Sequence, residues 1–197
     1  MPSIVTDINE LDLSQSYTYA DYLLWHFKER VELIKGKIFK MSPAPSTRHQ
    51  QISAKLHLRI GGYFENHYCH AFFAPFDVRL PRKDQNAADQ KIHTVVQPDL
   101  CVICDESKLD ERGCLGAPDL IVEVLSPGNS KTEMHNKFEL YQESGVREYW
   151  LVEPSQNAVL VYVLDETGKY VGLQPAVEFV QSSIFPELKI DLGKIFS

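Results

Sequence analysis

The sequence contains no apolar run approaching the roughly 18 residues that a membrane-spanning helix needs, so such a helix is excluded. It has no GxGxxG, no phosphate-binding P-loop and no GxSxG elbow, and dinucleotide-binding, nucleotide-hydrolysing and serine-hydrolase readings therefore lack support. Cysteine is scarce: Cys69, Cys101, Cys104 and Cys114 are too few in 197 residues for a disulfide scaffold, and the expectation is four thiols. Positive charge is in deficit, with 20 Lys and Arg against 27 Asp and Glu for a net charge of −7, which argues against a chain that coats nucleic acid by bulk electrostatics. The opening segment MPSIVTDINELDLSQSYTY is acidic and lacks the basic and apolar regions of a secretory signal, so a cytoplasmic protein is expected. No internal repeat or low-complexity tract is present.

With 44% hydrophobic and 24% charged residues, the chain suits one globular domain over residues 1–197, its core over about 46–154. Thr18 followed by Tyr19, Tyr22, Leu23 and Phe27 predicts a helix over 18–29. A hairpin follows, Arg30 to Leu33 and Lys37 to Met41 around Ile34-Lys35-Gly36. Ile52, Leu56 and Ile60, spaced by four, predict a second helix from Ser46 to about Asn66. Ala71 to Leu80, Val95 to Cys104 and Leu120 to Leu125 read as strands, with Pro81 to Lys91 and the stretch DESKLDERGCLGAPD as connectors. Ser130 to Ser144 is an amphipathic helix carrying Met134, Phe138 and Tyr141 on one side and ending at Gly145, before a strand over Glu148 to Val152. Val159 to Leu164 and Tyr170 to Leu173 form a C-terminal hairpin. The order is that of an α/β (α+β) fold, a mixed sheet flanked by helices with a hairpin towards each end.

Two carboxylates stand out. Asp99 follows Pro98 at the head of an apolar strand, and Glu123 lies inside LIVEVLS, where burying it requires a metal, a cation, a hydrogen-bond network or a proton. If those strands are neighbours, both carboxylates can converge on a hard divalent cation; a structural ion pair or a strand-end position is the alternative. A lysine two residues after the glutamate would complete a nuclease site, but Leu125 stands there. Lys137 borders the core-facing side of the next helix and can reach the sheet, or can snorkel to solvent. His49 and Glu32 are further candidates for a supporting group, a general base or ordinary surface residues. His67-Tyr68-Cys69-His70 cannot easily converge on one ion, and Cys101 and Cys104 lie three apart on a strand, facing opposite sides. From Lys28 to Arg59 the chain carries +6, leaving −13 elsewhere, which reads as a solvated face or as a phosphate-facing flank beside an acidic pocket.

The combination Pro98-Asp99, Ala117-Pro118-Asp119, Glu123-Val124-Leu125-Ser126-Pro127, Lys137 with Tyr141, and Gly145-Val146 with Glu148-Tyr149-Trp150 resembles the Uma family of restriction-endonuclease-like bacterial proteins. VELIKGKIFKMSPAPSTRHQ and FFAPFDVRLP resemble it too, so the likeness runs from about Thr18 to Pro154 and more weakly to the end. It implies the PD-(D/E)XK nuclease fold, metal-binding by Asp99 and Glu123, and a motif lysine supplied from the helix as Lys137, with Glu32 and His49 in support. Where many members have an aspartate four residues before that lysine, this chain has Glu133.

The function expected is a Mg²⁺-dependent endonuclease, with Mn²⁺ as the other candidate ion, that hydrolyses phosphodiester bonds of nucleic acid, DNA before RNA. Asp99, Glu123 and the Val124 carbonyl would hold the ion and Lys137 would act on the attacking water. A homodimer would be the simplest way to cut both strands of a duplex. The rival expectations are a non-catalytic binding protein that keeps the fold, for which the acidic charge and displaced lysine speak, and a hydrolase of small phosphoesters.

Overall fold

The computed structural model describes residues 4–41, 46–82, 88–127 and 131–197. Ser130 and parts of the MSPAPS and Pro81-to-Lys91 stretches lie outside the described residues. Thr18 opens a single helical turn, α1 (Tyr19–Tyr22), by a reciprocal capping box with Asp21. The predicted helix over 18–29 stops there because the backbone beyond is taken by the N-terminal segment: Val5 N donates to Leu24 O and His26 N to Val5 O, both at 2.9 Å. Strands β1 (Val31–Ile34) and β2 (Lys37–Lys40) form the hairpin, turned by Lys35 and Gly36 at φ values of 50° and 82°. Helix α2 (Thr47–Phe64) begins where Ser46 Oγ accepts from His49 N, and buries Ile52, Leu56, Ile60 and Phe64 along one stripe.

Two expected strands are each divided between two sheets. Ala71 to Leu80 becomes β3 (His70–Phe73) and β4 (Val78–Arg79), separated by the cis Ala74–Pro75 bond. Val95 to Cys104 becomes β5 (Val95–Val96) and β6 (Leu100–Ile103), with Pro98, which has no N–H for a ladder, at the break. The expected connector holds a hairpin, β7 (Leu109–Asp110) with β8 (Gly113–Leu115). After it come β9 (Leu120–Val124), α3 (Lys131–Ser144), β10 (Glu148–Glu153), β11 (Ala158–Leu164) and β12 (Tyr170–Gly172). The chain closes with β13 (Phe179–Gln181), β14 (Lys189–Asp191) and the short α4 (Gly193–Phe196), none of them anticipated from the sequence.

The main sheet has the order β12-β11-β10-β9-β6-β3, with β9 and β10 parallel across the α3 connection and the other pairs antiparallel. A second sheet, β2-β1-β5-β4-β8-β7, covers part of the α3 side. Alternation along β9 sends Leu120, Val122 and Val124 into the core against α2, and Ile121 into the core against α3. Glu123 shares the parity of Ile121, which places it on the α3 side. The structure also pairs Cys69 with Cys104 as a disulfide, against the expectation of four thiols; Cys101 and Cys114 are free and buried. The cause is register: β3 and β6 match His70 to Ile103, so Cys69 and Cys104 face each other one step beyond the ladder.

Candidate functional site

Glu123 lies fourth of five buried residues in β9, and its carboxylate is held from α3. Lys137 and Tyr141, one helical turn apart on that helix, reach the same oxygen: Nζ donates to Glu123 Oε1 at 2.9 Å and the Tyr141 hydroxyl at 2.7 Å. Lys137 Nζ also donates to Glu32 Oε1 at 3.0 Å, and that oxygen accepts the Gln97 backbone N–H at 2.9 Å. Glu32 comes from β1 in the second sheet, so one ammonium ties both sheets and α3 together. The side chains are 3% (Glu32), 10% (Lys137) and 12% (Glu123) exposed, a largely dry triad with one positive charge between two negative ones.

Asp99 stands beside it. In the antiparallel β6–β9 pairing Leu100 faces Val122, so one further step sets Asp99 across from Glu123. Its Oδ2 accepts from Val124 N at 2.8 Å and lies 3.3 Å from His49 Nε2, brought there by the first turn of α2. The hydrogen bond to Asp99 holds the His49 imidazole above its ordinary pKa, against burial and with help from Asp99's charge and the Val124 backbone. Burial pushes Glu123 up to about 7; Lys137 opposes this, but the nearby Asp99 and Glu32 charges reinforce it. Burial would lower Lys137, but Glu123 and Glu32 outweigh it and keep the ammonium charged. The two directions agree physically, because one ammonium shared by two carboxylates, with a third nearby, cannot neutralise them all. Tyr141 is raised by burial and by Glu123, so it remains a neutral donor.

Asp99 Oδ1 and Glu123 Oε2 accept from no described donor, and neither is a buried atom without a partner, which among the described residues is true only of Arg79 Nε. Beside Glu123 lies a cavity of about 30 Å³ lined by Glu123, Val124, Glu133, Met134, Lys137 and Tyr149 among others, large enough for a water. Among the described residues no three His, Cys, Asp or Glu side chains converge as a complete ligand set. The donors fit an ion that takes one or two carboxylates and completes its shell with a backbone carbonyl and water, which is the habit of Mg²⁺.

The structure thus brings Glu32, Glu123 and Lys137 into direct contact and joins Asp99 and His49 to them through the backbone of Val124. Sequence reasoning gave Tyr141 no role and passed over Gln97; the signal for Tyr141 was its spacing of four from Lys137. It also passed over Glu148, which is fully buried and accepts from Trp150 Nε1, Ser182 Oγ and the Ser183 and Ile184 N–H groups, anchoring the C-terminal segment to β10. Much of the basic stretch is engaged internally: Lys35 with Glu143, Lys37 with the Ser14 and Gln15 carbonyls, Arg48 with Asn157, Lys55 with the Ser197 carbonyl and Arg30 with Gln97.

Over residues 19–193 the chain matches the Uma2 family, described as "Putative restriction endonuclease". An uncharacterized protein of Synechocystis sp. is 26% identical over 156 residues, which span 78% of this chain and 77% of the relative. A crystal structure described as a "putative nuclease belonging to DUF820", from Anabaena variabilis, matches with a TM-score of 0.69 at 22% identity, covering 91% of this chain and 97% of that one. The two share a fold of mixed sheet flanked by helices.

Proposed function

The chain belongs to the Uma2 family of restriction-endonuclease-like proteins, and from that membership and the Glu32–Lys137–Glu123 geometry we propose that it is a divalent-metal-dependent nuclease, acting on DNA. The observation that carries this reading is that Asp99 and Glu123 stand across from each other on β6 and β9, each with one oxygen that accepts from no described donor, with the Lys137 ammonium on Glu123 beside a water-sized cavity. Asp99, Glu123 and the Val124 carbonyl would hold Mg²⁺ or Mn²⁺, which when bound polarises a phosphoryl oxygen and acidifies a water. Lys137 would orient the attacking water and stabilise charge building on the phosphoryl group. Tyr141 and Glu32 fix where Lys137 and Glu123 point, and His49 fixes Asp99. Cutting both strands of a duplex would take two such sites, as a homodimer would supply.

The non-catalytic reading has one observation in its favour: Lys137 already bridges both buried carboxylates without any ion. The test is cleavage of labelled oligonucleotides in Mg²⁺ or Mn²⁺ by the parent and by Asp99→Ala, Glu123→Ala and Lys137→Ala, each checked for fold by circular dichroism. Loss of cleavage in all three is the expected result; activity unchanged in all three would overturn the assignment.

A further inference from the structure

On the face of the second sheet opposite Glu32 and Lys137 lies a second, differently built recess. It has a volume of about 310 Å³, with Tyr22, Trp25 and Phe27 among its walls, Glu29 and Arg30 at its exposed edge and Gln97 beside them. The aromatic rings are contiguous: Trp25 stacks on Phe27 at 5.6 Å between centroids and 26° between planes, and Tyr22 lies 5.8 Å from Trp25 at a tilt of 58°. Trp25 is braced from behind by the edge of Tyr17 at 5.3 Å and by the Val5 backbone bridge, so the recess is preformed. Gln97 Oε1 accepts Arg30 Nη2 at 2.6 Å while its Nε2 donates to Asp77 at 2.8 Å, which sets the guanidinium in place at the opening.

The recess and the carboxylate site share a wall. Gln97 contributes its side chain to one and donates its backbone N–H to Glu32 in the other, and Asp99 follows two residues later. On β1, Val31 lines the recess and the next residue, Glu32, turns to the opposite face to hold Lys137, so the strand itself is the wall between them. Planar aromatic faces beside a guanidinium plane are what unstacked nucleobases bind, and the Glu29–Arg30 pair offers an acceptor and donors to a base edge.

We propose that this recess receives one unstacked base of the strand presented to Asp99 and Glu123, so that the preferred substrate is single-stranded or locally opened nucleic acid. The identity of the strand rests on the nuclease reading above; the base site itself does not. The chain has two tryptophans, and Trp150 is fully buried with its indole N–H on Glu148, so quenching by an added base reports Trp25.

The experiment titrates the full chain, in chelator, with a short oligothymidylate and with an abasic strand of the same length and charge, reading tryptophan fluorescence and anisotropy. The expected result is quenching by the thymidylate alone and binding about tenfold tighter than the abasic strand. Phe27→Leu, which keeps apolar volume and loses the ring, should bind both strands alike, and Phe27→Tyr should restore the difference. Equal affinity for the two strands, no quenching, or no single-strand binding would overturn the base site, whether or not the protein cleaves in Mg²⁺. Base-dependent quenching without cleavage in any metal would leave the base site standing and remove the nuclease reading.

Discussion

Replacing Lys137 with Met keeps the apolar stem and removes the one positive charge that, among the described residues, pairs with both Glu32 and Glu123. At an effective dielectric of about 20, each of the two contacts, 2.9 and 3.0 Å long, is worth on the order of 5 kcal/mol before desolvation is counted. Desolvation cancels much of that in the intact triad, but removing one partner strands buried carboxylates, and the expected net cost is about 3–5 kcal/mol. The carboxylates can escape part of this by staying protonated. Their native pKa values would then lie far above the unfolded ones, the native state would bind more protons, and stability would fall as pH rises. The gap between parent and Lys137→Met should therefore be small near pH 4 and widen by up to about 1.4 kcal/mol per pH unit for each carboxylate kept protonated in the native state. Urea unfolding in chelator at pH 4, 6 and 8, followed by circular dichroism, measures it, and Glu123→Gln combined with Lys137→Met should recover part of the loss. A variant within about 1 kcal/mol of the parent at every pH would refute the reasoning, since surface pairs are worth no more than that.

The parent should show a weaker pH trend of the same sign: Glu123 rises from 4.5 to about 7 on folding, so metal-free stability falls between those values by up to roughly 3 kcal/mol. Glu123→Gln should flatten that slope, and Mn²⁺ should raise the melting temperature of the parent above pH 7 but not that of Asp99→Ala; a parent curve flat across the window would count against the buried carboxylate. Glu148→Ala leaves the Trp150 indole, the Ser182 hydroxyl and two backbone N–H groups without their acceptor, and should cost about 3 kcal/mol or more in urea unfolding, with Glu148→Gln losing less. Gly113→Ala places a Cβ 2.2 Å from the Asp77 carbonyl oxygen at a φ of 119°, so it should destabilise by at least about 2 kcal/mol; an unchanged melting temperature would show that the β4–β8 contact relaxes freely.

The contact between Glu123 and Lys137 was legible in the sequence for a physical reason. A carboxylate flanked on both sides by branched apolar residues must be neutralised, and the helix after it offers a lysine on its inner border. Glu32 and His49 were harder to see, because each comes from a different element and their meeting depends on how β1 and α2 pack. Tyr141 reads as one more core aromatic, and only its contact with Glu123 separates it from Phe138. The least legible feature was the change of sheet at Gln97-Pro98-Asp99. Gln97-Pro98-Asp99 interrupts the apolar run in VVQPDLCVIC, but nothing local says that the two halves join different sheets; that break lets Gln97 serve Glu32 while Asp99 turns to Val124. The disulfide escaped for the same kind of reason, since it follows from β3–β6 register, which no local pattern encodes. The C-terminal strands are three residues each, too short to show a period, and they are held by Glu148, which reads from the sequence as an ordinary polar strand start.

The most direct test of the central claim is the conversion of supercoiled plasmid and of single-stranded oligonucleotide by the parent in Mg²⁺, in Mn²⁺ and in chelator, beside Asp99→Ala purified identically. The account predicts cut product only with the parent and only with a divalent cation. Equal cutting by Asp99→Ala, or by the parent in chelator, would contradict it, as would intact substrate in every lane while the parent binds no Mn²⁺ by calorimetry.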